Sequence, residues 1–393
     1  MNISSQKIIS IVDNAKIWIM DSGIQNEDID PLIDGSYNAW YDSNTGEYPY
    51  LYSEICGYLI TLMCYFYNLS ENTKYLNSGE KAGNWLLNTT YENNGAFRCL
   101  FTHVSPSKYD YKHDQMYSFD NGVIVNGLMN LYRLTNNKKY LSAAVTTADW
   151  LVMSAQGPAG LFKPVYDIEE ERFFESDKQW SLSSGSYHAK IAIGLLNLYD
   201  ITKTKRYLDA AIKVCDITLG YQLSSGRYIT FLSRGGTNAH PHCYTAEGLW
   251  VAGKLLDRKD YLESSAKSVK WILNLVNSDG LIPRLYFDDQ PIYHERIDAL
   301  AQTVRMAIIH IAEGRLEVSY MKQCEKLISV VLKYQVVDGN KHELGGICWG
   351  KTSKGKKLRH PNSWVTAFAI QSLQLYLNYK NDNNCNLNPY LMV

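Results

Sequence analysis

The sequence has no run of 18 apolar residues, so no segment reads as a membrane-spanning helix. It has no C-x-x-C pair. Its 8 cysteines fall singly at 56, 64, 99, 215, 243, 324, 348 and 385. That scatter argues against a disulfide framework and fits a reducing compartment. Charge of one sign is also missing, with 39 basic and 40 acidic residues for a net charge of −1. Nucleic acid and anionic membrane surfaces need a basic excess, so neither is expected as the main partner. The opening residues, Met1 to Lys7, carry no basic segment followed by an apolar run. The expectation is a cytoplasmic chain without a leader.

Tyrosine, in contrast, is abundant, with 30 copies beside 9 Trp and 10 Phe. Two roles fit such an excess. Flat aromatic rings stack on sugars, and Tyr fills helix interfaces with its hydroxyl reaching water.

A short signature recurs in the chain. Asn72-Thr73-Lys74-Tyr75-Leu76, Asn137-Lys138-Lys139-Tyr140-Leu141, Lys205-Arg206-Tyr207-Leu208 and Arg258-Lys259-Asp260-Tyr261-Leu262 each close one apolar helical run and open another. The Tyr residues are spaced by 65, 67 and 54 positions, a period that marks tandem helical hairpins. Ten residues after three of them comes a Trp: Trp85, Trp150 and Trp271. Ten residues is nearly three turns, so each pair shares a helix face. The run before each signature is apolar on most faces, as a helix buried all round must be. The run after it is amphipathic.

This rhythm predicts inner helices near 52–68, 120–134, 186–201, 242–256, 298–313 and 363–379. Outer helices are predicted near 4–21, 73–89, 138–154, 205–219, 260–276 and 316–335. The chain starts on an outer helix and ends on an inner one, so the last must pair with the first. The predicted fold is an all-α (α/α)6 toroid over residues 1–380, with a C-terminal tail at 381–393. Gly46, Gly95, Gly160, Gly226, Gly280 and Gly345 each lead a short extended segment and then a long polar loop into the next inner helix. Inner-to-outer turns are short. Long loops therefore gather on one face, and long loops in compact domains usually carry function.

That face collects the polar residues. Glu54, Asp120, Glu247 and Asp298 stand within two turns of an inner-helix start. Glycosidic cleavage uses two carboxyl groups, one as proton donor and one as base or nucleophile, and a ring can oppose them across a cleft. Acids at such positions also serve as helix caps. Asp120, in Phe-Asp-Asn-Gly at the mouth, is the strongest candidate. Glu247 sits in an apolar helix and needs a partner, which Gln302 or Arg305 can supply. His188 and His242 are candidates for proton transfer. His240-x-His242 has no spaced ligand set after it, so no metal and no cofactor are expected. Candidate substrate contacts are Trp40, Tyr52, Tyr117, Tyr187, His240, Arg296, Gln302, Arg305 and Trp364. Tyr109, Tyr111 and Trp180 add to the loop aromatics. Arg98, Lys163, Arg227 and Arg284 suit a sugar carboxylate or a surface ion pair.

The twelve-helix rhythm, together with Tyr52-Ser53-Glu54, Phe119-Asp120-Asn121-Gly122, the segment from His240 to Leu249 and that from Arg296 to Arg305, resembles the six-hairpin glycosidase-like superfamily. Unsaturated glucuronyl hydrolases, rhamnogalacturonyl hydrolases, polysaccharide lyases and N-acylglucosamine 2-epimerases belong to it. The resemblance implies an (α/α)6 toroid and a carbohydrate substrate. In the glucuronyl hydrolases the working carboxylates sit at inner-helix starts, as Asp120 does here. Fold does not fix function, and three readings stand. The first is a glycoside hydrolase on an oligosaccharide or polysaccharide, with uronic acids as candidate units, using Asp120 with Glu54, Glu247 or Asp298. The second is a sugar epimerase or lyase moving protons through His188, His242 or Tyr187, with Arg296 or Arg305 steadying the charge. The third is a non-catalytic glycan-binding protein. Terpene cyclases would want an Asp-rich run, which is absent. Lanthionine cyclases would want a zinc set of which Cys348-Trp349-Gly350 supplies only a part. Oligomeric state leaves no mark in the sequence.

Overall fold

A computed structural model describes residues 3–28, 30–101, 112–352, 354–383 and 385–393, so Tyr109 and Tyr111 lie outside the described residues. Among these, twelve α-helices alternate along the chain: α1 (Ser5–Asp21), α2 (Ser53–Ser70), α3 (Thr73–Trp85), α4 (Ser118–Thr135), α5 (Lys138–Trp150), α6 (Ile191–Thr202), α7 (Lys205–Leu219), α8 (Ala239–Leu256), α9 (Lys259–Leu273), α10 (Ile297–Ala312), α11 (Met321–Leu332) and α12 (Ser363–Asp382). Even-numbered helices form the inner ring and odd-numbered ones the outer. The third inner helix begins later than the periodicity predicts, because Ser186–Lys190 forms a 3-10 turn ahead of α6.

The recurring signature is a two-residue turn. α2, α4, α6 and α8 each end on a residue in the left-handed region, namely Glu71, Asn136, Lys203 and Asp257. The following residue is extended and precedes the next helix, and the Asn72 and Asn137 side chains accept from Lys74 N and Lys139 N. This is a left-handed C-cap followed at once by an N-cap. The signature Tyr residues staple successive outer helices. Tyr140 donates to Asn84 (3.0 Å), Tyr207 to Asp149 (2.7 Å) and Tyr261 to Asp216 (2.5 Å). Much of the tyrosine excess is therefore structural.

The ring closes on itself. α12 packs against α10, α2 and α1. The Gln335 amide donates to Ile11 O of α1 (2.8 Å) and to Gly345 O (2.9 Å). Gly345 has φ +93°, and a Cβ there would collide with the Asn14 carbonyl of α1. Gln25, Gln156 and Gln222 repeat this clip with Gly35, Gly160 and Gly226. The sixth member of the glycine series is thus Gly35, which presses on Lys81 of α3. Gly46, the residue expected from sequence, meets only the Tyr41 hydroxyl at 3.8 Å.

Short antiparallel strands fill the long-loop face. The pairs are Leu51–Tyr52 with Leu100–Phe101, and Cys348–Lys351 with Lys357–Pro361. The triplets are Gln115–Tyr117, Val165–Asp167 and Arg172–Phe174, and Thr237–Asn238, Pro283–Phe287 and Gln290–Tyr293. Each inner helix starts where a strand or loop turns inward, so its first residues face the mouth. The tail packs under the opposite end of the ring. Val393 is fully buried, Lys190 Nζ donates to its carbonyl (3.1 Å), and Tyr390 O accepts from Asn126 and Asn130. No helix among the described residues is long and apolar enough to cross a membrane.

Candidate active site

The inner helices approach closely near the mouth. A Cβ at Gly194 would sit 2.5 Å from the Gly122 carbonyl, so only glycine lets α6 meet α4 there. The mouth ends converge on a cavity of about 140 Å³. Glu54, Asp120, Tyr52, Tyr117, Tyr187, His240, Arg296 and Trp364, all expected from sequence, line it, together with Trp180. Lys112, Phe119, Ser181 and Tyr244 line it too and were not expected. Tyr244 was readable, since it lies one helical turn after His240 and so on the same face. Lys112 lies in a loop and Ser181 in the three-residue 3-10 turn Trp180–Leu182, both too short for a periodicity to point inward.

Glu54 and Asp120 belong to neighbouring helices, α2 and α4, and not to opposite walls. Asp120 is 2 % exposed, and its Oδ2 is buried with no hydrogen-bond partner among the described residues. Burial, then the nearby Glu54, holds its carboxyl well above the usual range, against the pull of Lys112. Burial pushes Glu54 up to about 7, with Lys112 and Lys190 opposing. One of two such groups is a protonated acid at neutral pH, because neighbouring carboxyls do not both ionise readily in a desolvated site.

The other two carboxylates are placed differently. Glu247 does not line the cavity. It is fully buried below it, paired with Lys190 (2.6 Å) and Arg305 and accepting from Gln302 Nε2 (3.1 Å). Arg305, then Lys190, outweighs the burial and holds its carboxyl below the ordinary value. Asp298 is also fully buried. It accepts from Arg296 Nε (2.9 Å) and Nη2 (3.0 Å), from Ala299 N (2.8 Å) and from Trp364 Nε1 (3.3 Å). Its burial is outweighed by Arg296 and then His240, so its carboxyl stays far below the usual range. Both serve as buried counter-ions. Gln302 and Arg305, expected to touch substrate, lie beneath the floor with Glu247 and are fully buried. Lys190 went unrecognised in the sequence, although a lysine opening an apolar inner helix carries the same signal as Glu247.

The histidines separate too. His188 is fully buried, neither ring nitrogen is hydrogen-bonded among the described residues, and it packs edge-on against Phe162. Burial lowers it to about 3. His242 points away from the mouth, its Nδ1 accepting from Tyr228 N (3.3 Å) and its Nε2 reaching Ser268 O (3.2 Å). Neither reaches the cavity, and His240 and His242 share no ligand position. His240 does reach it. Its Nδ1 meets Gln302 Oε1 at 2.7 Å. The Glu247 carboxylate only accepts, so Gln302 donates to it through Nε2 and presents its oxygen to His240. Nδ1 therefore carries the proton, and Nε2 keeps a lone pair. Burial lowers the ring to about 4, so it is neutral at physiological pH.

Trp40, expected in the mouth, lines a second recess of about 350 Å³ with Tyr50, Trp349, Thr352, Leu358, His360 and Asn362. Trp364 lines both spaces and joins them.

Comparison with known proteins places this geometry. The model of glycosyl hydrolase family 76 matches residues 65–244, from within α2 to within α8. The match contains Asp120, Tyr187 and His240. No curated protein sequence matches the chain. The cellobiose 2-epimerase of Bacillus thermoamylovorans B4167 shares 12 % identity over 93 % of this chain and 99 % of its own, with a TM-score of 0.75. The unsaturated glucuronyl hydrolase of Bacillus sp. GL1 shares 12 % over 97 % of both chains, at 0.67. A polysaccharide lyase shares 13 % over 97 % of this chain and 99 % of its own, at 0.62. The chain is an all-α (α/α)6 toroid, the fold it shares with these neighbours. At these identities the structural likeness speaks for the fold. Within the toroid, the cavity lies on the long-loop face at the inner-helix N-termini.

Proposed function

We propose that this toroid is a glycoside hydrolase in which Asp120 is the proton donor and Glu54 the partner carboxyl. The observation that carries this reading is the buried Asp120–Glu54 pair, both raised by burial and Asp120 further by Glu54, in a cavity walled by Tyr52, Tyr117, Trp180, Tyr187 and Trp364. Protonated Asp120 gives its proton to the glycosidic oxygen as the bond to the anomeric carbon breaks. Glu54, ionised in part of the molecules near pH 7, faces the positive charge growing on that carbon or takes a proton from the attacking water. Aromatic walls bind the sugar faces. The family 76 match, which contains Asp120, supports hydrolysis, as does the glucuronyl hydrolase among the structural neighbours. The substrate is a carbohydrate. The eight free thiols, seven of them buried, support a cytoplasmic setting.

The test is release of reducing sugar from a panel of oligosaccharides by the wild-type protein and by Asp120→Asn. Loss of release with an unchanged melting curve supports the assignment, and retained release rules it out.

A second reading rests on His240. Its neutral ring, with a lone pair on Nε2, suits proton removal from a sugar carbon, and an epimerase shares the fold. Solvent deuterium appearing in recovered sugar without hydrolysis would favour it. Hydrolysis without exchange would dismiss it.

A further inference from the structure

Below the mouth, the lumen of the ring is lined by polar side chains on otherwise apolar inner helices. Asn126 and Asn130 lie on α4, Lys190 just ahead of α6 and Gln371 on α12, and all four are buried. Each donates to the backbone of the tail. Asn126 Nδ2 and Asn130 Nδ2 both reach Tyr390 O (2.9 Å), Gln371 Nε2 reaches Leu391 O (2.8 Å) and Lys190 Nζ reaches Val393 O (3.1 Å). In return Val393 N donates to Gln371 Oε1 (3.2 Å), which also accepts from Arg305 Nη1 (2.8 Å). The turn Pro389–Leu391 packs against α2, α4, α6 and α8 at once, and Leu391, Met392 and Val393 are buried. A buried amide or ammonium without an acceptor is costly, so the lumen is built around this stretch of backbone.

The tail lies close beneath the carboxyl pair. Met392 borders a space of about 10 Å³ together with Tyr58, Gly122, Val123 and Lys190. Tyr58 stands one helical turn after Glu54 on α2, and Gly122 two residues after Asp120 on α4. The space therefore sits directly below both acids. Such a volume is at the threshold for a single water, so the docked tail leaves no room for bulk solvent there. Tyr58 stacks on Tyr244 with ring centres 6.5 Å apart, and Tyr244 lines the mouth cavity. The Lys190 ammonium lies 4.9 Å from the Tyr58 ring centre and 4.5 Å from that of Tyr244, and it also bonds Glu247 (2.6 Å). An aromatic layer thus stands between the tail and the active site.

We propose that residues 386–393 are a positioning segment for the active site, whose docking in the lumen keeps water from beneath Asp120 and Glu54 and holds Lys190 beside Glu247. Burial is what drives both carboxyls toward the neutral acid. Opening the lumen from below returns solvent to them, and a solvated carboxyl ionises more readily. Asp120 then lacks the proton that the leaving oxygen needs. The catalytic consequence rests on the hydrolase reading above, while the docking and the protonation do not.

The experiment is Leu391→Asp in the full chain, with and without an added peptide of the sequence 386–393. A carboxylate at that buried place disfavours docking. Hydrogen exchange of the amides 126–130, the infrared C=O band of protonated carboxyl at neutral pH, and kcat and KM for reducing-sugar release are measured together. The expected result is faster exchange, loss of most of the band, and a kcat lower by about 10- to 100-fold, part of what a general acid contributes. KM changes by less than about twofold, since the sugar contacts stay in place. The added peptide restores all of these. Leu391→Ala, a gentler change, shows the same effects in smaller measure and serves where the aspartate prevents folding. Faster exchange with an unchanged band and kcat overturns the proposal. So does failure of the peptide to restore them in a variant that melts cooperatively. Loss and recovery of the band, with no turnover of any glycan by the wild-type protein, supports the positioning role while sinking the hydrolase. Wild-type hydrolysis that both variants keep in full sinks the positioning role and leaves the hydrolase standing.

Discussion

The mouth of the toroid and its floor both bury carboxyl groups on inner helices, yet in opposite charge states. Asp120 and Glu54 at the mouth are driven toward the neutral acid. Glu247 on the floor and Asp298 at the edge of the mouth remain carboxylates. Burial is nearly complete in all four, so burial is not what separates them. Contacting cations are. Glu247 touches Arg305 and Lys190, and Asp298 is gripped by Arg296. Among the described residues Asp120 and Glu54 form no such ion pair, and the nearest positive charges act from further away. The floor thus holds structure, and the mouth keeps a proton available for transfer.

The largest effect expected from breaking this contrast is catalytic. Asp120→Asn lowers kcat by about 10²- to 10⁴-fold, as loss of a general acid does, and it leaves denaturant stability nearly unchanged. Glu247→Ala should do the reverse. It strands Lys190 and Arg305, and a broken buried pair costs about 3–5 kcal/mol, read as a fall in the urea midpoint. If the two variants showed the same pattern, the division between mouth and floor would fail.

Glu54 gives the next effect. Its carboxyl sits near 7 folded and at about 4.5 unfolded. Between these values the folded state binds more protons, so stability declines as pH rises through that window and levels off above it. The decline is about 1–3 kcal/mol, discounted for coupling to Asp120. Glu54→Gln should flatten it, as followed by denaturation at several pH values. A slope of opposite sign would show Glu54 to be paired like Glu247.

Smaller still is the link between the two regions. Gln302→Leu cuts the chain from Glu247 to His240 and frees the imidazole tautomer. Nitrogen NMR of His240 should then show both tautomers, with turnover down about tenfold, the worth of one hydrogen bond. An unchanged spectrum would mean that Asp298, 3.6 Å away, sets the tautomer instead. The smallest effect lies outside both regions. Tyr261→Phe removes the bond to Asp216 and costs about 1 kcal/mol in melting stability, with activity untouched.

Much of the fold was readable because it repeats. The Tyr signature marked the turns, and apolar runs on all faces marked the inner helices. The closing of the ring followed from counting. What escaped were features without a period. Gly46 stood in for Gly35 because both precede extended residues, and only the pressing of Gly35 on α3 distinguishes them. The site was legible as a list but not as a geometry. Glu54, Asp120, Glu247 and Asp298 look alike in sequence, each an acid near an inner-helix start. Their roles diverge through Lys190, Arg296 and Arg305, which arrive from other helices. His188 and His242 misled for a similar reason. Both stand beside the mouth in sequence, but one helix turns successive residues to different faces, and only His240 points in.

The charge contrast between mouth and floor is readable by infrared difference spectroscopy. At neutral pH the wild-type protein should show the C=O stretch of a buried protonated carboxyl. The larger part of that band should be lost in Asp120→Asn, leaving a Glu54 component that fades as pH rises above 7, and the whole band should persist in Asp298→Asn. Absence of the band in the wild-type protein, or its loss on removing Asp298 instead of Asp120, would show that the mouth holds no protonated Asp120.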